Sequence, residues 1–438
     1  MKISMLNLQA FIASIFTLSL FTYALPQYRF IYNISLETLA IALLMAALSL
    51  LQIVKRGSVN PNILFFILVI ILINIFSQLF SPFEPTHQFY KILAASFIFF
   101  FITHYFISIN PMIEKVLVSH VILSLILVIY GTYIYITGDM VGTQTEDEGW
   151  KTIGRYWGFR YTVSTRNDDI FYIIPSFILL VSWYIFNKGV YKKTLLFILS
   201  FLYFVIIALS FSRGHILSSI LTLFSISYVY LKYIKIYNNH INHNIFIVLF
   251  KIFFSMFIGI LILFVVLAVI ELWIPEFQLL TSFVVKMISI VDPSYQYEFS
   301  GMSSSNQARL NIYEIALKLI FTYPFGVGAE NFVFASISDG YGKYWGENTY
   351  LEYFVDFGVF GGIVVTTFIF YPVVILYSRV KKMKDFRNLF FFSLALYISL
   401  ASLFNVLIGN LYFYLLYSMI YSHIIYSKNF FKTRELST

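Results

Sequence analysis

The chain lacks cysteine altogether and is poor in charged residues. None of its 438 residues is Cys, and Asp, Glu, Lys and Arg together make up 11% of them. The absence of cysteine excludes disulfides, thiolate metal sites and a cysteine nucleophile. Globular proteins carry about 25% charged residues, so this composition cannot cover a water-facing surface. The sequence also has no Gly-rich phosphate loop, no zinc-type histidine spacing and no basic tract interleaved with polar residues, so neither nucleic acid nor a metal ion is expected as a partner.

Apolar and aromatic side chains are what the chain has in abundance. Hydrophobic residues make up 60% of it, with 50 Phe and 34 Tyr, and lipid is the solvent that fits such a composition. The sequence therefore predicts an all-α polytopic membrane protein that forms a single membrane domain over residues 1–438. Since a span needs roughly 20 apolar residues, about twelve are expected. They lie near residues 5–25, 36–54, 62–80, 88–108, 116–136, 169–187, 194–212, 213–231, 245–273, 349–378, 389–405 and 407–427.

Basic residues predict the orientation of these spans, because cytoplasmic loops carry an excess of Lys and Arg. With the N-terminus in the cytoplasm, every inner loop contains at least one of them, and Lys381, Lys382 and Lys384 all lie inside. Both termini are therefore predicted to be cytoplasmic. The first apolar run has no small-residue cleavage pattern before Pro26, so it is interpreted as a retained helix rather than a signal peptide.

Two segments on the predicted outer side are too long to be simple turns. They cover residues 137–168 and 274–348, and long loops with their own pattern tend to be functional. In the second loop, residues 309–322 mix apolar and polar side chains in the manner of an amphipathic helix, which Pro324 ends. Such a helix can lie on the membrane surface or close over a cavity. Function is therefore expected at the outer face.

Arginines at this outer face are the first candidates for chemistry. An arginine at the centre of a membrane helix costs on the order of 2.5–3.5 kcal/mol, so Arg213, between two apolar runs, needs a partner or a purpose. Arg160, Arg166 and Arg309 lie in the two outer loops. A guanidinium binds phosphate bidentately, so the set suggests an anionic ligand such as a diphosphate. The alternatives are an Arg213 that extends to lipid headgroups and loop arginines that are simply solvated.

A second group of polar residues leads into the predicted tenth span. It contains Glu347, Asn348 and Glu352, and Asp356 follows Glu352 by four residues, so these two acids share one helical face. Two acids that enter a membrane helix are costly, which predicts a polar cavity there. Glu347 or Glu352 could act as a general base toward a sugar hydroxyl, although helix capping explains either residue almost as well.

The order of these features resembles the O-antigen ligase and polymerase superfamily, Wzy-type polymerases in particular. The resemblance covers residues 205–365, and the N-terminal helices match only as membrane spans. Each motif is short, so the specificity lies in the series. The residues that carry it are Ser212, Arg213, Gly214, Arg309, Tyr313, Ala316, Tyr323, Pro324, Phe325, Gly326, Val327, Gly328, Asn331, Phe332, Asn348, Tyr350, Leu351, Glu352, Asp356, Gly358 and Gly361.

The resemblance implies a GT-C-like helical enzyme of the bacterial inner membrane, which acts on undecaprenyl-diphosphate-linked glycans in the periplasm. Arg213 and Arg309 would hold the donor diphosphate and stabilise its developing charge. The lipid diphosphate is itself the activated donor, so no cofactor is implied. A chain-length regulator and a flippase are the protein partners that such an enzyme implies. The residues expected to contact substrate are Arg160, Arg166, Asn348, Tyr350 and Glu352.

One position departs from the ligases of this family, which typically carry His before the asparagine that is Asn348 here. This chain has Glu347, which favours a polymerase and gives the hypothesis that Glu347 acts as the base or positions the acceptor. The alternatives are a ligase that attaches finished glycan to lipid A-core, a flippase or other transporter, and a membrane scaffold. Spans nearly free of charge favour chemistry at one face over transport, and a scaffold leaves Arg213 unexplained.

Overall fold

The computed structural model describes residues 5–23, 36–56, 59–137, 169–187, 189–209, 213–235, 301–342, 348–383, 385–404 and 411–435, with isolated positions between 261 and 272. Throughout these ranges the chain is helical, with short turns and no strand. The all-α prediction is therefore confirmed for the part of the chain that the structure describes. The loop predicted over 137–168 and the span predicted over 245–273 lie outside it, apart from Thr137 and those isolated positions.

The helices of the first half begin and end within a few residues of the predicted spans. The start of the third helix shows how local chemistry sets a boundary. Pro61 occupies the first position of its helix, where a missing N–H costs nothing, and Asn60 Oδ1 accepts from Ile63 N at 3.4 Å. The helices are α1 (Met5–Tyr23), α2 (Leu36–Arg56), α3 (Pro61–Phe80), α4 (His87–Ile109), α5 (Ile113–Thr137), α6 (Asp169–Phe186), α7 (Val190–Leu209) and α8 (Arg213–Val229).

The second half corrects one predicted helix. Residues 349–378 do not form a single span, because Phe357 interrupts it and Gly358 has φ 72°, a left-handed conformation that ends a helix. The amphipathic helix expected over 309–322 ends at Thr322 as predicted but begins earlier, at Gly301. These helices are α9 (Gly301–Thr322), α10 (Phe332–Ser338), α11 (Thr349–Asp356), α12 (Gly358–Met383), α13 (Phe386–Ala401) and α14 (Leu411–Glu435).

Five helical segments of the described residues are long and apolar enough to cross a membrane. One of them, Ile92–Ile129, contains 38 residues and joins α4 to α5 through a 3-10 turn at Asn110–Met112. At about 1.5 Å per residue it measures about 57 Å, nearly twice the bilayer core, so we interpret it as two spans. The chain is a multi-pass membrane protein, while the number twelve stays a prediction. The other four segments are Ile63–Phe80, Val190–Ile207, Gly214–Tyr233 and Gly358–Met383.

A proline inside α12 shows how the bundle satisfies backbone groups away from water. Pro372 has no N–H, so it cannot donate to the carbonyl of Phe368 one turn earlier. That carbonyl accepts instead from the hydroxyl of Tyr421 in α14 at 2.9 Å. The neighbouring carbonyl of Ile369 accepts from Tyr417 at 3.0 Å. Because an unsatisfied carbonyl is costly in lipid, these tyrosines tie α14 to α12.

The two ends of the helix bundle carry different polar groups. At one end, which we call the basic end, Arg387 Nε lies 2.9 Å from Glu114 Oε1, and Arg379 donates to the carbonyl of Ile424 at 2.7 Å. The other, which we call the turn end, joins the loop after α3, the turn after α9 and the N-terminus of α11. There Thr349 N donates to the carbonyl of Ser402, at the C-terminus of α13, at 3.0 Å.

Candidate functional site

The turn after α9 docks onto the break between α11 and α12. This segment, residues 323–331, is called the glycine turn. Its Val327 N donates to the carbonyl of Val355 at 3.0 Å, and Gly328 N donates to that of Asp356 at 2.9 Å. In return, Val359 N donates to the carbonyl of Pro324 at 3.0 Å. The two segments are therefore fixed against each other through their backbones, which brings together motifs that lie about 30 residues apart in the sequence.

Two glycines make this close approach possible. Gly326 has φ 97°, and a Cβ added there would lie 2.4 Å from the carbonyl oxygen of Asp356. Gly358 has φ 72°, and its Cβ would lie 2.4 Å from the carbonyl oxygen of Pro324. The atoms that would be met belong to the backbone and cannot swing aside. Both positions therefore require glycine for conformation and for space.

The loop after α3 completes the site from a part of the chain that the sequence motifs did not indicate. Ser81 Oγ donates to the carbonyl of Val327, and Thr86 Oγ1 donates to that of Ala329 at 2.7 Å. Gln78, at the end of α3, is so close that a Cβ on Gly328 would lie 2.5 Å from its Oε1. Residues around Gln78 line an open cleft of about 480 Å³, formed with Ile75, Leu79, Pro82, Phe83, Glu84, Pro85 and Phe89.

Three carboxylates meet where the glycine turn touches α11. Asp356 Oδ2 accepts a hydrogen bond from Glu330 N at 2.9 Å, and Glu352 lies one turn before Asp356 on the same face. Glu330 has φ 62° and is the single non-glycine residue with positive φ among the described residues. Such backbone strain is concentrated at functional sites. The three carboxylates do not form a group that could hold a metal ion, and no other such group occurs in the described ranges.

Burial changes the acidity of two of these groups. The pKa of Glu352 is raised to about 7, mainly because the carboxyl group is shielded from solvent and secondly because the carboxylate of Glu330 is near. Burial and then the carboxylate of Glu352 raise the pKa of Asp356 well above its ordinary value. Both carboxyl groups therefore hold their protons up to a higher pH than exposed carboxyl groups do.

Several acceptor atoms of this region lack a donor among the described residues. They include Glu352 Oε2 and Asp356 Oδ1, and also the amide oxygens of Gln78 and Asn331. The amide orientations follow from their nitrogens, since Gln78 Nε2 donates to the carbonyl of Phe83 at 2.8 Å and Asn331 Nδ2 to that of Val327 at 2.9 Å. Each buried acceptor left unpaired costs about 1–3 kcal/mol. The site therefore suits a ligand that brings several donors, such as the hydroxyls of a sugar.

Comparison with known protein families identifies this region. Residues 198–366 match the model of the Wzy_C family, described as O-antigen ligase. The chain carries a Wzy_C domain. The expected resemblance to the O-antigen ligase and polymerase superfamily is thereby confirmed. The Wzy_C domain begins within α7 and ends within α12, so it contains the glycine turn and the three carboxylates. A search of curated proteins found no match to the chain.

The family gives the function in outline. Members of the Wzy_C family are glycosyltransferase-like enzymes, and the match indicates a function of the O-antigen ligase or polymerase type. The family implies a lipid-linked glycan as substrate and a membrane as environment. Donor-poor carboxylates and amide oxygens at one end of a helical membrane bundle are consistent with such a substrate, which is rich in hydroxyls.

Two predicted substrate contacts, Asn348 and Tyr350, have structural partners in the Wzy_C domain. Asn348 is the N-cap of α11, where its Oδ1 accepts from the backbone N–H of Tyr350 at 2.9 Å and of Leu351 at 3.2 Å. Its Nδ2 donates to the carbonyl of Leu403 at 2.8 Å. Tyr350 is buried, and its hydroxyl donates to the carbonyl of Ser399 at 2.8 Å. Both residues thus hold α11 against α13, and any contact with substrate stays a prediction.

The predicted arginines are placed only in part. Arg213 begins α8 and Arg309 lies within α9, but their side chains lie outside what the structure describes. Arg160, Arg166 and Glu347 lie outside the described residues altogether. Their roles stay predictions.

The packing of α9 explains how the site is covered. Ile312, Ala316 and Leu319 are buried against the glycine turn and α11, in a small core with Val327 and Val355. The opposite face is charged, where Glu314 and Lys318 form an exposed pair at 2.7 Å. The helix is amphipathic as predicted, and its apolar face covers the site rather than the membrane surface alone.

Proposed function

We propose that the chain polymerises lipid-linked glycan repeats at the periplasmic face of a bacterial inner membrane. The growing glycan would leave undecaprenyl diphosphate, and a hydroxyl at the non-reducing end of a new lipid-linked repeat would take its place. The glycosidic bond to the diphosphate breaks, a bond to the acceptor oxygen forms, and the acceptor proton passes to a base. The observation that carries the polymerase over the ligase is Glu347, which stands where the ligases of this family typically have His.

Glu352 is the carboxylate best suited to take that proton. Its Oε2 has no donor among the described residues, and its pKa of about 7 lies close to the operating pH, where a general base is most effective. Glu347 precedes α11 by two residues, and we assign it to positioning the acceptor sugar. Arg213 and Arg309 would bind the donor diphosphate and stabilise the charge that develops on it.

The distribution of charge supports this orientation. The basic end has described basic side chains on α5 (Lys115), α12 (Arg379 and Lys381) and α13 (Arg387), whereas the turn end has the three carboxylates. Cytoplasmic loops carry the excess of basic residues, so we assign the basic end and both termini to the cytoplasm. The turn end, with the glycine turn, then lies in the periplasm, where lipid-linked repeats are joined.

The ligase is the second candidate, because the matching family model is described as O-antigen ligase. It would transfer finished glycan to lipid A-core rather than to another lipid-linked repeat. A flippase lacks such support, since a family of glycosyltransferase-like enzymes implies chemistry rather than transport alone. A chain-length regulator and a flippase stay predicted as partners of the polymerase.

Lipopolysaccharide gels from a deletion strain separate the two candidates. The strain would be complemented with wild type, Arg213→Ala, Glu347→Gln or Glu352→Gln, and with Glu314→Gln as a control. Glu314 lies on the exposed face of α9, so the same chemical change there should leave the ladder intact. Core with one repeat and no ladder identifies a polymerase, and loss of the ladder in the three site variants places those residues in its site.

Two other outcomes would count against the proposal. Core without any repeat, while long undecaprenyl-linked polymer accumulates, means a ligase. An unchanged ladder in the deletion strain means that the chain does not act on O-antigen. Membrane levels of each variant, measured by immunoblot, distinguish lost chemistry from lost protein.

A further inference from the structure

Three tyrosines and two lysines gather at the basic end, far from the glycine turn. We call Tyr228, Lys232, Tyr233, Tyr377 and Lys381 the tyrosine–lysine cluster. The hydroxyls of Tyr233 and Tyr377 lie 3.1 Å apart, and Lys232 Nζ donates to the hydroxyl of Tyr228 at 2.6 Å. The cluster joins the end of α8 to the end of α12, two elements that are distant in the sequence.

Local helix geometry places these side chains side by side. The chain continues beyond α8 as a π-helix, Tyr230–Lys235, which carries Lys232 and Tyr233. Short π-helical segments widen a helix and occur often at functional sites. Tyr377 and Lys381 lie four residues apart in α12, so they share one face. Both helices therefore present a tyrosine with a lysine toward the same point.

The two ammonium groups both lie close to one aromatic ring. Lys232 Nζ is 5.4 Å from the ring centre of Tyr233, and Lys381 Nζ is 5.6 Å from the same centre. Lys381 Nζ also lies 4.2 Å from the ring centre of Tyr377. The two cations are thus within about 11 Å of each other, and cation–π contacts of this kind hold them in place.

The cluster has donors and positive charge without a matching anion. Neither lysine forms an ion pair with a carboxylate among the described residues, whereas Arg387 at the same end pairs with Glu114 at 2.9 Å. Each ammonium has three N–H donors, and Lys232 uses one of them on Tyr228. The two hydroxyls that face each other use one hydrogen between them, so a phenolic donor remains. Such a set is complementary to a phosphate group.

We propose that the tyrosine–lysine cluster binds the phosphate of an anionic phospholipid headgroup. Its residues lie at the ends of the spans Gly214–Tyr233 and Gly358–Met383, at the depth where headgroups meet the hydrocarbon. Lys381 and Lys382 both lie in the last turn of α12, where the helix dipole stabilises positive charge. Among the described contacts only Lys381 lies over aromatic rings, so the cluster includes Lys381 and not Lys382. A headgroup held there bridges α8 and α12 on the side of the membrane opposite to the glycan site.

Native mass spectrometry of the purified full-length protein, titrated with phosphatidylglycerol or phosphatidylcholine, tests this site. The variant Lys232→Ala/Lys381→Ala would be compared with Lys193→Ala/Lys382→Ala. Both lose two charges at the basic end, and Lys193 Nζ lies 5.7 Å from the single ring of Tyr184. Wild type should retain phosphatidylglycerol in preference to phosphatidylcholine. The cluster variant should bind it about tenfold more weakly or worse, and the control should stay within about twofold of wild type.

A second variant keeps the test decisive if the double alanine variant is unstable. Tyr233→Phe/Tyr377→Phe retains both rings and removes the hydroxyls, so affinity for phosphatidylglycerol should fall about threefold with the fold intact. Equal loss in the cluster and control variants would overturn the proposal in favour of general surface charge. Equal binding of the two lipids would also overturn it, as would displacement of phosphatidylglycerol by millimolar inorganic phosphate.

Discussion

The arginines at one end of the bundle and the carboxylates at the other are satisfied in opposite ways. At the basic end, Arg387 pairs with Glu114, and Arg379 donates to backbone carbonyls of α14. At the turn end, Glu352 and Asp356 each retain an oxygen without a donor among the described residues. Uncharged groups do not show this contrast, since Asn110 and His423 at the basic end also have side-chain atoms without a partner among the described residues. A charged group costs more to leave unpaired than a neutral one, so the carboxylates are the stronger indication of a ligand. The difference supports the proposal that the chemistry takes place at the turn end, while the arginines of the basic end hold helices together.

The largest effect is expected from Gly326→Ala. Its Cβ would lie 2.4 Å from a backbone oxygen at a φ of 97°, so the glycine turn must separate from α11. We expect a loss of about 3 kcal/mol or more in stability, together with loss of polymer. Gly340→Ala is the control, because it has φ 79° but nothing within 4 Å, and it should cost about 1 kcal/mol. Thermal unfolding in detergent measures both, and equal costs would show that the close approach is unimportant.

Glu352→Gln should affect activity more than stability. Removal of a general base typically lowers the rate about 10²–10⁴-fold, while the amide fills the same space. Polymer synthesis from purified lipid-linked repeats would measure the rate, with Glu314→Gln as the matched control on the exposed face of α9. A rate within about threefold of wild type would show that Glu352 is not the general base, and Glu347 would then be the candidate.

The pH dependence of the two properties should have opposite signs. The pKa of Glu352 rises from 4.5 to about 7 on folding, so the folded state holds the proton more tightly. Stability from this group is complete below pH 4.5 and is lost as pH rises toward about 7. The rate should instead increase through pH 7, because the base must be ionised. Glu352→Gln should flatten the stability profile over that interval, and an unchanged profile would contradict the assignment.

The smallest effect is expected at the basic end, from Glu114→Gln. The Arg387–Glu114 pair lies at 2.9 Å but is partly exposed, and such pairs contribute about 0.2–1 kcal/mol. We expect a loss of that size in thermal stability, reduced further by salt, with the rate of polymer synthesis unchanged. A large loss of activity would show that the two ends are coupled, and the comparison between them would fail.

Much of the site could be expected from local sequence. Gly326, Gly358 and Asp356 were singled out as motif residues, and the structure brings them into backbone contact. A tight approach of two backbones requires glycine at particular positions, and those glycines can be recognised in the sequence. The break at Phe357 was not foreseen, because the run 349–378 is apolar enough for one span and the interruption depends on docking of the glycine turn.

The first half of the chain contributes residues that no motif indicated. Gln78, Ser81 and Thr86 meet the glycine turn across about 245 positions of sequence. Ser and Thr after a membrane helix are common, so their pattern is not distinctive. Only helix packing decides that this loop, rather than another at the same end, reaches the site.

The sequence by itself determined that the protein lies in lipid, that it is helical and that it resembles the O-antigen ligase and polymerase superfamily. Lipid requires long apolar runs whose backbone groups are satisfied within each helix, and this requirement is visible residue by residue. The tertiary structure decided which polar groups remain unpaired. Asp356 is buried and Glu352 is half-buried beside Glu330, and their raised pKa values depend on distances between separate elements. Desolvation and charge repulsion act through space, so no pattern along the chain can fix them.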